Sequence, residues 1–220
     1  IKWFNLTESQ KQVKVYLYLK KEQVLEGFIM AAITIFGNGN MGQALDSVFT
    51  AGGNTVTHID RDDAVENLGD IVVLAVPYPV AVSIAKAQAT QLAGKVVIDI
   101  SNPLNFDTWN ELVVPADSSA TAELAKLLPD SQVVKAFNTT FAATLASKQV
   151  SGKEPTTVLA AGDDAAAKQT LADALKTSGV KVIDAGALKR ARKLEAMGFL
   201  QMTLAASEKI GWTGGFAILN

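Results

Sequence analysis

Three glycines in the run FGNGNMG, at Gly37, Gly39 and Gly42, fall at the spacing G-x-G-x-x-G, directly after the apolar stretch AITIF. That pattern suits a loop that cradles the phosphates of a dinucleotide. Gly37 would make the tight turn, Gly39 would let backbone approach a pyrophosphate, and Gly42 would let a helix pack closely on its strand. Asn38, Asn40 and Met41 complete the loop, whose N–H groups at a helix start would face the phosphates. The motif also calls for an acid about 20 residues on, and Asp60 stands 18 residues past Gly42. A carboxylate there accepts from the ribose hydroxyls of NAD, whereas Arg61 beside it would pair with the 2′-phosphate of NADP. The pair leaves both cofactors open. Without a sheet around it, the loop reads only as a Gly-rich turn, and Asp60 and Arg61 as a loop cap.

Groups for acid–base work are scarce. There is no cysteine, which removes disulfides, thiolate nucleophiles and Cys-ligated metals, and one histidine, His58, leaves no multi-His metal site. No metal is expected. His58 falls on a strand near the adenine side and reads as an ordinary strand residue. Lys135 is the remaining proton-donor candidate, at the C-terminal end of a strand where such folds place ligands; its alternative is a strand-end lysine paired with an acid. The run LKRARK puts Lys189, Arg190, Arg192 and Lys193 at a helix start, where cations oppose the dipole. It reads as a solvated basic face or as a contact for phosphate. Leu194, Met197, Gln201 and Leu204 make a helical stripe suited to core or dimer packing. Trp212 or Phe216 in WTGGF would close over a flat ring, or plug the core.

The elements that must position these groups alternate regularly. Strands are expected at 32–36, 55–59, 71–76, 96–100, 132–137, 156–162 and 180–186, and helices at 41–51, 79–92, 118–128, 163–179 and from 187 to about 210. IVVLAV and VVIDI are continuous apolar runs, as strands buried on both faces require. The alternation implies an α/β fold with a doubly wound, mostly parallel sheet. Residues 61–70 leave little room for a helix between the second and third strands. Residues 1–29 differ in texture, with a period-two strand pattern in VKVYLYLKK. They are expected to be an extension outside a dinucleotide-binding domain at 30–220.

The bulk numbers agree. In 220 residues, 49% are apolar and 19% charged, enough for a sizeable core. The formal net charge of −2 offers no overall basic surface for nucleic acid. No apolar run reaches membrane-spanning length and no secretory signal is read, so a cytoplasmic protein is expected, without nucleic-acid or membrane partners.

With the glycine loop, AVPYP, DISNPLN, KAFNT and DAGALKRARKLEAMG on the page, the chain resembles a known family from residue 32 to 220. It is similar to the dinucleotide-binding enzymes related to NADPH-dependent deazaflavin (coenzyme F-420) oxidoreductases, and to the reductase domain of six-transmembrane metalloreductases. It looks closest to the bacterial branch. The resemblance implies a Rossmann fold, a homodimer, and a C-terminal helix and tail that complete the acceptor pocket. By position it implies that Gly37 to Gly42 hold the pyrophosphate and that Asp60 and Arg61 meet the adenosine ribose. Val76, Pro77 and Tyr78 would line the cofactor's middle. Ser101, Asn102 and Pro103 would lie towards the nicotinamide, and Asn138 and Thr140 would face the substrate. Two departures stand out: Asp60 precedes Arg61 where a Ser-Arg pair is usual, and Asn138 stands where archaeal relatives carry histidine.

The expected function is hydride transfer between NADP, implied by the family, or NAD, suggested by Asp60, and a small-molecule redox acceptor such as a flavin or deazaflavin. Two ring systems bring their own electronics and need mainly stacking geometry. The alternatives are a reductase of a small carbonyl or imine, with Lys135 or Tyr78 as proton donor, and a non-catalytic dinucleotide sensor.

Overall fold

The computed structural model describes residues 30–219; the strand expected in VKVYLYLKK lies outside the described residues. The elements in order are β1 (Ala32–Phe36), α1 (Asn40–Ala51), β2 (Thr55–Ile59), β3 (Ile71–Leu74), α2 (Tyr78–Leu92), β4 (Val96–Asp99), α3 (Ala120–Leu127) and β5 (Gln132–Lys135). There follow α4 (Ala142–Ser147), the short strands β6 (Gln149–Val150) and β7 (Glu154–Pro155), β8 (Thr157–Ala161), α5 (Ala165–Ala174), β9 (Lys181–Gly186), a 3-10 turn (Leu188–Arg190) and α6 (Ala191–Ala206).

Seven strands form one sheet in the order β2-β1-β3-β4-β5-β8-β9. β2, β1, β3, β4 and β5 pair in parallel, whereas β8 meets β5 antiparallel at Lys135 and Ala161, and β9 runs parallel to β8. β6 and β7 make a separate antiparallel ribbon. The sheet is doubly wound because its central strands are apolar on both faces. Ile71 and Val73 of β3 join one core with Leu45, Val48 and Phe49 of α1, while Val72 and Leu74 join the other with Ala81, Ala85 and Leu92 of α2. Ser119 caps α3 by accepting from Ala122 N, and Asp164 caps α5 by accepting from Ala167 N, at 3.0 and 2.9 Å.

The strands end sooner than their apolar runs. β3 stops at Leu74, β4 at Asp99 and β5 at Lys135, two, one and two residues before the ends expected from sequence. The released residues leave the sheet at its C-terminal edge. There, Ala136, Phe137 and Asn138 make a tight γ-turn: Asn138 N donates to Ala136 O at 2.8 Å, and Phe137 sits at φ +61°. This is a strained conformation for a bulky residue, fixed by full burial of the ring edge-on to Phe49. Residues 61–70 contain no helix, and residues 60–64 are exposed.

Candidate active site

The strand order reverses between β1 and β3, with β2 laid on one side of β1 and β3 on the other, which opens a crevice at the C-terminal edge of the sheet. The glycine loop forms one lip. Gly37 has φ +102°, and a Cβ there would lie 2.5 Å from Ala75 O on the other lip, so only glycine fits. A Cβ at Gly42 would meet Gly37 O at 2.3 Å, so α1 starts hard against the loop. Gly39 is the opposite case: a Cβ there has nothing within 4 Å and would project into open space. Gly39 is the N-cap of α1 and supplies no side-chain cap, so the first N–H groups of the helix stay free for an anion. Asp60 follows β2, with Asn38 Nδ2 at 3.5 Å from its Oδ2, and Asp63 Oδ2 accepts from its backbone N–H at 2.8 Å. These features fit the pyrophosphate and ribose of a dinucleotide.

The crevice continues into a cavity of about 540 Å³, within the ordinary range for small-molecule sites. Asn40, Met41, Val76, Pro77, Tyr78, Ser101 and Asn102 line it together with Phe106, Phe137, Phe141, Met202 and Trp212. Trp212 leans on Phe141, ring centroids 4.9 Å apart. The loop bearing Phe106 is braced by its edge-on contact with Trp109. Among the described residues that line it there is no Lys, Arg, His, Asp or Glu. Tyr78 is the ionisable group there: burial, then the carboxylates of Glu123, Asp99 and Glu195, push its phenol above its ordinary value.

Behind the wall lies a charged knot. Lys135, wholly buried, donates to Asp99 Oδ2 at 2.7 Å and to Ser101 O, with Glu195 Oε1 at 3.1 Å. Thr121 Oγ1 donates to Asp99 at 2.7 Å, and Glu195 accepts from the backbone N–H groups of Ala120 and Thr121 at the start of α3. Burial pushes the Glu195 carboxyl up, while Lys135 and the Ala120 N–H pull it down; burial prevails. In front of the knot, Asn138 Nδ2 donates to Asn102 Oδ1 and to Leu194 O, and Asn102 Nδ2 donates to Asn138 O, each at 2.8 Å. A Cβ at Gly198 of α6 would lie 2.5 Å from Asn102 Oδ1, so glycine lets the helix close on this pair.

A sequence search of curated proteins finds the F420-dependent NADP reductase of Methanocaldococcus jannaschii, 32% identical over 160 residues, covering 71% of this chain and 70% of the relative. The chain belongs to the F420-dependent NADP oxidoreductase family. The sequence model described as "NADP oxidoreductase coenzyme F420-dependent" matches residues 46–103. The Metalloreductase STEAP3 of Rattus norvegicus is 38% identical over 109 residues, half of this chain and 21% of that protein. Among solved structures, one assigned as an F420-dependent NADP-reductase from Arthrobacter sp. FB24 superposes with TM-score 0.74 at 25% identity, covering 86% of this chain and all of that one. The hypothetical protein SMa0349 of Sinorhizobium meliloti gives 0.61 at 27%, covering 79% and 89%. This F420-dependent NADP oxidoreductase family member is thus an NAD(P)-dependent oxidoreductase with a Rossmann-type sheet.

Several residues of this family member sit otherwise than expected from sequence. Lys135 is buried against its acid partners and is not among the lining residues, which is the alternative reading of a strand-end lysine paired with an acid and not that of a proton donor. Pro103 is buried outside the lining, its carbonyl accepting from Val113 N at 2.7 Å. Asn138 reaches the lining, but its amide N–H groups are committed to Asn102 and Leu194. Thr140 lines the cavity with its hydroxyl turned to Phe137 O. Arg192 donates to the carbonyls of Pro115 and Ser118, tying the basic run to a loop. Sequence reasoning missed Phe106, Phe141 and Met202. Met202 sits one position beyond Gln201 of the expected stripe, and no local pattern marks the other two.

Proposed function

We propose that the chain passes a hydride between a nicotinamide dinucleotide and a flat, conjugated acceptor of the flavin or deazaflavin class. The observation that carries this reading is a cavity continuous with the glycine loop, walled largely by aromatic and aliphatic side chains and without a charged one among the described residues that line it. Such a cavity stacks and dries a ring system but offers little acid–base help to a carbonyl. The names of the relatives, which specify NADP and coenzyme F420, point the same way.

When bound, the dinucleotide supplies the hydride chemistry. The N–H groups at the start of α1 and the backbone at Gly39 would hold its pyrophosphate, and Asp60 and Arg61 its adenosine ribose. Val76, Pro77 and Tyr78 would shape the passage towards Ser101 and Asn102. Phe141, Met202 and Trp212 would close over the acceptor and exclude water. The Asn102 and Asn138 pair, locked together by mutual hydrogen bonds, would form part of the floor of the site. Apolar residues exposed on α6 and the tail, Leu200, Phe216 and Leu219, suit the homodimer that we propose for the working enzyme.

The test is oxidation of NADPH and NADH against FMN, FAD, a deazaflavin and a panel of small carbonyls and imines. Turnover on a ring acceptor that survives Lys135→Ala, in protein shown to be folded, is the expected result. Turnover confined to carbonyls or imines, or saturable dinucleotide binding with no turnover on any acceptor, would overturn it. For the cofactor, Arg61→Ala is expected to weaken NADPH binding about tenfold with little effect on NADH, as for loss of one charge-assisted contact. Asp60→Ala should weaken NADH selectively. Equal effects of each variant on both cofactors would remove these residues from the ribose site.

A further inference from the structure

The single histidine of the chain is not an idle strand residue. His58 sits on β2, directly under the glycine loop: its Cε1 lies 3.8 Å from where a Cβ of Gly42 would be. Its Nδ1 is 3.2 Å from Gly37 O, and its Nε2 is 3.0 Å from Asp46 Oδ2 on α1. Both partners are acceptors. A peptide carbonyl has no proton to give, and a carboxyl is a stronger acid than an imidazolium, so a proton shared between Asp46 and the ring rests on the ring. A neutral imidazole carries one N–H and could satisfy only one of these contacts; the other would set a lone pair against an oxygen. Both are satisfied only by the doubly protonated ring.

We propose that His58 is a positioning residue of the dinucleotide cradle and works as an imidazolium, strapping the Gly37 turn to the first helix through Asp46. The strap acts at the tightest point of the loop. Gly37 is held from one side by the Ile59 carbonyl, which accepts from its N–H at 3.0 Å, and abuts Ala75 on the other. The His58 contact to Gly37 O fixes the remaining freedom of that peptide, and so the direction in which the following N–H groups point. The ring also brings a positive charge beneath a site that receives phosphate.

The groups around the ring are few. α1 contributes Asp46; β1 contributes Ile35 in register, which is uncharged. Beyond the end of β2 stand Asp60, Arg61, Asp62 and Asp63, all exposed. Side-chain exposure of 20% for His58 and 40% for Asp46 keeps the pair in exchange with solvent protons. Dinucleotide affinity therefore falls as pH rises and the ring loses its second proton. This rests on the dinucleotide reading of the loop, but the protonation of the ring does not.

The test uses the full chain. Because His58 is the sole histidine, its ring nitrogens give an unambiguous NMR signal. At about pH 6 without ligand, the pattern of a ring protonated at both nitrogens is expected. A neutral ring with one fixed tautomer at that pH would overturn the proposal. Calorimetric titration with NADP⁺ and NAD⁺ from pH 6 to about 8.5 follows, in wild type, His58→Gln and Asp46→Asn. Wild-type affinity should fall about fivefold more over this range than that of His58→Gln, the scale of a partly exposed ion pair; taking the difference cancels titration of the 2′-phosphate. Asp46→Asn should flatten the profile in the same way. Parallel profiles in all three proteins would overturn the strap even where the variants bind more weakly overall. If neither dinucleotide binds wild type at any pH, the dinucleotide reading fails. The ring signal then still decides the imidazolium, and the role in positioning a dinucleotide is lost.

Discussion

Gly39→Val is expected to weaken dinucleotide binding by about 100-fold or more while leaving the protein folded. The reason is the contrast among the three glycines. At Gly39 the backbone has φ −75° and ψ −174°, open to any residue, and a new side chain meets nothing of the protein. It would instead fill the space over the start of α1, where a pyrophosphate must approach to take the free N–H groups. The cost to the fold is that of an altered N-cap, and the melting temperature should move by no more than about 4 °C. Gly42→Val is the control. Its side chain would collide with the Gly37 carbonyl, so it should lose stability and binding together. Calorimetric titration beside thermal melts separates the two. Affinity unchanged in a folded Gly39→Val protein would show that no phosphate lies over this loop.

The second large effect is on stability. Lys135→Met should cost about 3–5 kcal/mol, because it leaves Asp99 and Glu195 buried together without their cation. The melting temperature should drop by on the order of 10 °C. The loss should depend on pH in a definite direction. Glu195 already has its carboxyl raised above the ordinary glutamate value of 4.5, and Lys135 is among the groups that hold it down. Removing Lys135 raises it further, so the native state binds more protons than the unfolded chain, and stability falls as pH climbs from about 4.5 through the raised native value. The variant should therefore be closest to wild type in mild acid. Adding Glu195→Gln should recover part of the loss at neutral pH. Denaturant unfolding across pH measures both; a loss below about 1 kcal/mol, or one independent of pH, would mean that the knot is not held by charge.

The course of the chain was legible where the physics is local. Apolar runs such as IVVL and VVID declare strands buried on both faces, and a glycine at every point of steric need marks the turn before α1. The cavity walls were half legible. Val76, Tyr78 and Asn102 lie next to strand ends and are placed by the family resemblance, whereas Phe106, Phe141 and Met202 arrive from segments with no shared pattern. A run such as TVLAA carries no mark of direction, so the antiparallel meeting of β5 and β8 could not be read from it. α4 is six residues long, too short for a periodicity to show. The choice left open at Lys135, proton donor or acid-paired lysine, has the same root. Its partner Glu195 lies 60 residues away on α6, and only packing brings a helix acid under a strand end. His58 reads from sequence as an ordinary strand residue because its two contacts belong to a loop and a helix that precede it in the chain.

The uncovered stretch between β2 and β3 bears on the tempo of catalysis. Enzymes with a lid over the cofactor often spend their turnover opening it. Here the rim beside Asp60 is a short, exposed turn with no helix to swing, so nucleotide exchange should be governed by the breaking of contacts alone. The slow, committing movement would then belong to the side of the cavity lined by Trp212, where the C-terminal tail would close over the proposed acceptor.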